Sequence, residues 1–306
     1  VKIGLYVNGV GPSPQALVDQ VRAAAAAGLD SAYFSQIFSW DALTVAALSA
    51  QAAPGLALGT AIVQTYPRHP IALAGQALTV QAVSGQPFTL GIGPSHPPLI
   101  EGMFGYSYDK PTRHVREYLS PLLPLLRGEQ VDYHGETLTA VGAVDAPNTP
   151  APSVLLSALG PVMLRIAGEL ADGTVTVWTG PKMIGDYIVP AITEAAARAG
   201  RPAPRIVATV VASVTADPDA TRRWVAEQVG FAAQFPGYRA VLERQGLSGV
   251  EDTVVAGDED TVARAVAEYA AAGVTELVVG PVGEPLDWAR TVELLANLRG
   301  ELTHVT

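Results

Sequence analysis

Short apolar runs alternate along this chain with longer stretches of helical spacing, from one end to the other. The runs predict strands over 2–8, 31–36, 56–63, 87–93, 153–158, 173–178, 205–214 and 275–279. Their cores are rich in Val, Ile, Leu and Ala, the pattern of strands buried on both faces. Between and after them, helices are predicted over 14–27, 41–52, 70–84, 112–127, 161–170, 181–199, 218–245, 258–272 and 287–299. Boundary residues support these limits. Ser13 stands where an N-cap belongs, Pro70 in a first turn, and Gly28 just past a last turn. Eight strand–helix units in one chain predict the α/β class, as one (β/α)8 or TIM barrel over 1–306. A doubly wound open sheet is the alternative, and no glycine fingerprint supports it.

The alternation breaks in two places. The segment 94–111, with Pro94, Pro97, Pro98, Gly102 and Gly105, reads as an irregular insertion after strand four. A second insertion, 129–152, reads as a hairpin turning at His134-Gly135 followed by a Pro-rich link. Pro121 and Pro124 predict a kink or early break in the helix between the two insertions. Another break is expected near Pro236-Gly237 within 218–245.

Composition narrows the function. Among 306 residues 49% are hydrophobic and no cysteine occurs, so disulfides and thiolate metal sites are excluded and a reducing, cytoplasmic setting is expected. A net charge of −10 argues against nucleic-acid binding. No apolar run approaches the ~20 residues of a membrane span, and the N-terminus reads as a strand, not a signal peptide. Phosphate-loop, zinc-protease, nucleophile-elbow and calcium-loop motifs are missing, and the five histidines are scattered. Gly91-Ile92-Gly93 begins like a dinucleotide fingerprint but runs into Pro97-Pro98 instead of a helix with a third glycine.

In a barrel, chemistry gathers at the carboxyl ends of the strands. That places Thr60–Gln64 and Gly93–His96 on the active face. His96 follows strand four directly, where an imidazole can deliver a proton or hydrogen-bond a ring. Trp40 and Trp178 lie beyond strands two and six, where aromatics can wall a flat ligand. Gly160-Pro161 opens a helix, and its N-terminus suits a phosphate. Lys110, Arg113, His114 and Arg116 read as a solvated helix face, Arg68-His69-Pro70 as a helix start, and Asp172 as a residue turning the chain.

The segments LGTAI (58–62) with RHP (68–70), SGQPFTLGIGPSH (84–96), REYLSPLLPLLRGEQVDYHGETL (116–138), LSALGPVMLRIAGELADGTVTVW (156–178) and TELVVGP (275–281) carry a resemblance over nearly the whole chain. In this order the chain resembles the luciferase-like monooxygenase superfamily, in its coenzyme F420-dependent oxidoreductase branch. The resemblance implies a barrel with insertions after strand four and a deazaflavin or flavin at the strand ends. It implies a non-prolyl cis peptide at Ala61-Ile62, forming a bulge behind the ring. It implies a phosphate on the turn Ala158-Leu159-Gly160-Pro161, and cofactor contacts from Ser35, Gln64, Ser95, Trp178 and Thr179. The catalytic residues implied are His96, Gln36 and Trp40. Family dehydrogenases acting on sugar phosphates carry Asp-His after strand two and Glu after strand four. Here Ser35-Gln36 and His96 stand at those places, so reduction of a C=C or C=N bond by reduced F420 is expected. The alternatives are an FMN-dependent monooxygenase supplied with reduced flavin by a partner reductase, and a non-catalytic ligand-binding barrel. A small-molecule substrate and a homodimer, with an F420 or flavin reductase as partner, complete the expectations.

Overall fold

The computed structural model describes the backbone of residues 1–303 and the side chains of 1–299. Eight parallel strands form a closed ring. They are β1 (Lys2–Val7), β2 (Ser31–Phe34), β3 (Ala57–Thr60), β4 (Phe88–Gly93), β5 (Ser153–Ser157), β6 (Gly173–Val177), β7 (Arg205–Val214) and β8 (Glu276–Pro281). Each pairs with the next, and β8 pairs with β1, Lys2 opposite Glu276 through Leu5 opposite Val279. The predicted barrel is therefore present. Beyond a bulge, β3 resumes at Val63–Gln64 alongside β4. A short strand the sequence reading missed, Val255–Gly257, lies outside the ring against β7.

Parallel neighbours need crossovers, and helices supply them. Among the described residues these are α1 (Pro14–Ala27), α2 (Ala42–Ala52), α3 (Pro70–Ser84), α4 (Pro97–Phe104), α5 (Pro111–Leu126), α6 (Pro161–Leu170), α7 (a run over 181–198 with a π turn at Ile184–Ile188), α8 (Pro218–Val229), α9 (Pro236–Gln245), α10 (Glu259–Ala271) and α11 (Pro285–Thr303). Caps fix the entries: Ser13 Oγ accepts from the Ala16 N–H at 3.2 Å and Asp41 Oδ1 from Thr44 at 2.9 Å. Gly28 leaves α1 at φ 89°, a left-handed turn that favours glycine. Leu17, Val18, Val21 and Ala24 bury the inner face of α1. Among the described residues, no helix is long and apolar enough to cross a membrane.

Two expectations need correction and a third holds. The segment 94–111 is not wholly irregular, because Pro97-Pro98 begin α4, where a first turn needs no proline N–H. Pro121 and Pro124 do not end α5, which runs to Leu126 with both prolines inside it. The break expected near Pro236-Gly237 is present: a 3-10 turn at Gly230–Gln234 separates α8 from α9, which starts at Pro236.

Inside the ring, Leu155, Val175, Val207 and Val278 pack around Tyr33. Gly59 makes room for that ring, since a Cβ there would lie 2.4 Å from Tyr33 Cε1. At the amino-terminal end of the strands, Arg205 donates to Thr89 Oγ1, Ser153 Oγ, the Tyr33 hydroxyl and Glu276 Oε2 at 2.8–3.2 Å. Glu276 also accepts from Ser31 and Tyr33. This polar plug seals the lower end, so the open space lies at the carboxyl ends.

Candidate active site

The upper rim is shaped by the bulge that interrupts β3. The Ala61-Ile62 peptide is cis. The Ala61 N–H donates to the Phe34 carbonyl at 2.8 Å, and the Gln36 N–H donates to the Ile62 carbonyl at 3.0 Å. On the other side Thr60 Oγ1 donates to the Gly91 carbonyl at 2.8 Å and accepts the Gly91 N–H at 3.0 Å. The bulge is thus bound to both neighbouring strands. Gly91 permits this approach, because a Cβ there would sit 2.0 Å from the Thr60 carbonyl oxygen.

Above the bulge lies a cavity of about 270 Å³. Ser35, Gln36, Ala61, Ile62, Gln64, Ser95, His96 and Trp178, all singled out in the sequence, line it together. Ser157 lines it too, at the foot of the expected phosphate turn. Ala158, Leu159, Gly160 and Pro161 do not. Ala158 is buried, Leu159 packs on the barrel core, and Gly160 opens α6 with free space around its Cα. Trp40 also lies off the cavity lining. Its indole N–H donates to the Gly11 carbonyl at 2.9 Å, pinning it to the β1–α1 loop. Thr179 is buried, and its hydroxyl pairs with Thr176 Oγ1 at 2.8 Å.

Several lining residues were missed. Tyr6 comes from β1 and Thr209 from β7, each on the inward face of a strand. Burial raises the Tyr6 phenol, opposed by a bond to Ser35. Phe231, Phe235 and Tyr238 come from the segment after β7. Their distance in sequence from His96 hid them, yet the His96 ring stacks on Phe235 at 4.3 Å and 16° and meets Tyr238 edge-on at 4.5 Å.

Among the described residues, two of the three non-glycine residues at positive φ, Ser95 at 63° and Trp178 at 57°, line this cavity. Such conformations persist where surroundings enforce them and gather at functional sites. The Tyr108 hydroxyl donates to the Ser95 carbonyl at 2.7 Å. Gln245 clamps the other loop, donating to the Trp178 carbonyl at 2.9 Å while accepting from the Gly180 N–H at 2.6 Å.

Gln36 is tied at both ends of its amide: Oε1 accepts from the Ala42 N–H and from Arg68, and Nε2 donates one hydrogen to the Ile37 carbonyl. Arg68 is also held by Asp41 Oδ2 at 2.6 Å. His114 departs from the expected solvated face. It is buried, bonded to Thr65 Oγ1 at 2.9 Å and stacked on Tyr66 at 3.8 Å. Lys110 and Arg113 pair with Glu136, and Arg116 with Glu169.

Desolvation lowers both His96 and His114 to about 4. Both imidazoles are therefore neutral at pH 7. The folded state resists protonation that the unfolded chain accepts from about 6.5 downward, so stability falls as pH drops from 6.5 toward 4. NMR of the ring carbons is expected to show two histidines silent between pH 5.5 and 8. A midpoint near 6.5 at either would contradict the packing described.

The chain is 29% identical to a Mycobacterium tuberculosis protein whose name assigns it, by inference, to the coenzyme F420-dependent oxidoreductases, covering 91% of this chain and 94% of that one. It is 26% identical to the 5,10-methylenetetrahydromethanopterin reductase of Methanopyrus kandleri, covering 93% of each. The fold matches the structure of the coenzyme F420-dependent tetrahydromethanopterin reductase from Methanopyrus kandleri with a TM-score of 0.82, at 24% identity and 97% coverage of each chain. It also matches an F420-dependent secondary alcohol dehydrogenase, with a TM-score of 0.81, at 18% identity and 97% coverage of each chain. The family model for luciferase-like monooxygenase matches residues 3–276, so the chain belongs to that family and is an F420- or flavin-dependent oxidoreductase.

Proposed function

We propose that this chain is an F420-dependent reductase that delivers hydride to a C=C or C=N bond of a small organic substrate. The observation that carries this reading is the lack of a competent base among the described residues of the cavity. After β2, where alcohol oxidation would need one, stands Gln36, a neutral amide whose oxygen already accepts from Ala42 and Arg68. His96, titrating at about 4, is far weaker than the base poised near pH 7 that such chemistry needs. Reduction asks less of the protein.

The residues present fit a flat heterocycle. A cavity of about 270 Å³ lies just below the ~300–1,000 Å³ usual for whole ligands, so it suits a ring system with its tail outside. The bulge supplies one wall, and Tyr6 and Trp178 line the same space. In this reading the tail runs from Ser157, which lines the cavity, toward the N-terminus of α6, where the first N–H groups have no partner within the helix and the dipole favours an anion. When bound, reduced F420 supplies the hydride from C5 of its ring. The chain orients donor and acceptor and excludes water. Reduction adds a proton as well as the hydride: neutral His96 hydrogen-bonds the acceptor atom that gains the negative charge and gives it the ring proton, which solvent restores once the product has left.

Anaerobic fluorescence titration with F420 and with FMN tests this. Micromolar or tighter F420 binding, with FMN weaker by about tenfold or more, is the expected result. Tight FMN binding with oxygen uptake on addition of reduced flavin would instead select monooxygenation, with a reductase as partner.

A further inference from the structure

We propose that the substrate is an uncharged, planar, largely apolar molecule, of the class of aromatic or conjugated carbonyl compounds, admitted through an aromatic mouth. The inference rests on the preceding reading for the hydride donor, but not for what the mouth recognises.

Among the described residues, no Asp, Glu, Lys or Arg lines the cavity. Three of its polar side chains are turned onto the protein itself. Gln64 donates to the Gln36 carbonyl at 2.9 Å, Thr209 to the Thr176 carbonyl at 2.8 Å, and Thr176 pairs with Thr179. A charged substrate entering here would lose its hydration and meet no counter-charge. Outside the cavity lies a recess of about 450 Å³ that shares Gln36, Ile37, Phe38 and Gln64 with it. The one charged residue among those lining the recess, Arg68, is already neutralised by Asp41.

The rim is apolar on both sides. Phe38 and Phe104, both lining the recess, hold their rings 6.3 Å apart, and Phe38, Phe104 and Phe231 are 47%, 38% and 60% exposed. Across the opening, Phe231 meets Phe235 at 6.0 Å, and Phe235 lies flat on His96. Single exposed aromatics need no explanation, but a cluster continuous with a cavity marks a binding surface. In a chain of net charge −10, leaving this mouth uncharged selects against ionic ligands. Flat faces placed in series select planar ones.

The test uses two probes on the same skeleton, neutral N-phenyl-1-naphthylamine and its sulfonated counterpart 8-anilino-1-naphthalenesulfonate. The neutral probe is expected to bind about tenfold or more tightly than the sulfonate. Phe104→Ser and Phe231→Ser are each expected to weaken it by about tenfold. Trp224→Ser, on the exposed face of α8 and off the cavity lining, is expected to leave it unchanged. Equal binding of the two probes, or rim variants with unaltered affinity, overturns the proposal. Rim variants that change only the sedimentation of the protein also overturn it, and mark the rim as an interface between copies. If F420 fails to bind while the probe pattern holds, the reductase reading falls and the ligand class stands.

Discussion

Gly91→Ala is expected to lower the thermal midpoint by about 5 °C or more and to abolish binding of the ring cofactor. The added methyl would sit 2.0 Å from the Thr60 carbonyl oxygen, 3.0 Å from its carbon and 3.4 Å from Ile62 Cγ2. The first two are backbone atoms in the middle of a closed sheet, and no flexible tip is available to move aside. Overpacking of this kind costs about 3 kcal/mol or more, and in a chain of this size each kcal/mol moves the midpoint by about 2 °C. Relief requires separating β3 from β4 at the bulge, which carries Ala61 and Ile62 away from the cavity they line. Gly160→Ala is the matched comparison. Its Cβ meets no atom within 4 Å and its φ is −96°, so stability should stay within about 0.5 kcal/mol. Differential scanning calorimetry reads both variants, and F420 titration reads Gly91→Ala alone, because Gly160 caps the helix end proposed to face the cofactor's tail. A Gly91→Ala protein that melts and binds like the parent would show that the bulge is not held as described.

The barrel was legible because its signals are local. Each strand is a short apolar run, and each helix entry carries a residue whose chemistry is read one turn away, as with Ser13 and Asp41. What local signals missed has a common cause. Pro97-Pro98 and Pro121 with Pro124 read as breakers, yet proline costs a helix nothing in its first turn, and packing holds α5 together further along, where Tyr118, Leu122 and Leu125 are buried. His114 sits among Lys110, Arg113 and Arg116 in sequence, but the helix turns it inward onto Thr65 while its neighbours pair at the surface. Residues lining the cavity from strands two to six were readable, since they follow strand ends directly. Phe235 and Tyr238 were not, because nothing near them in sequence says that the segment after β7 folds back over His96.

Arg205→Met is expected to destabilise the fold by about 3 kcal/mol, the lower end for a broken buried pair because the guanidinium is partly solvated. Its side chain is 33% exposed, against 4% for Glu276. Removing Arg205 strips Glu276 Oε2 of a donor at 2.8 Å and leaves the carboxylate with Ser31 and Tyr33 alone. Thr89 and Ser153 lose a donor as well. The carboxylate, not the lost contact as such, is then the main cost: a buried charge without its counter-charge. Glu276→Gln in the Arg205→Met background removes that charge and should recover about 1–2 kcal/mol, although Glu276→Gln alone destabilises. A double-mutant cycle by urea unfolding measures the coupling. Two single variants whose effects simply add would mean that the pair is not coupled. The network lies at the amino-terminal end of the barrel, where residues serve stability and not chemistry. Below its melting point, Arg205→Met should therefore bind F420 with the parent affinity. Loss of binding in a protein still folded would mean that the two ends of the barrel are coupled through Tyr33, the ring that stands between the plug and the cavity floor.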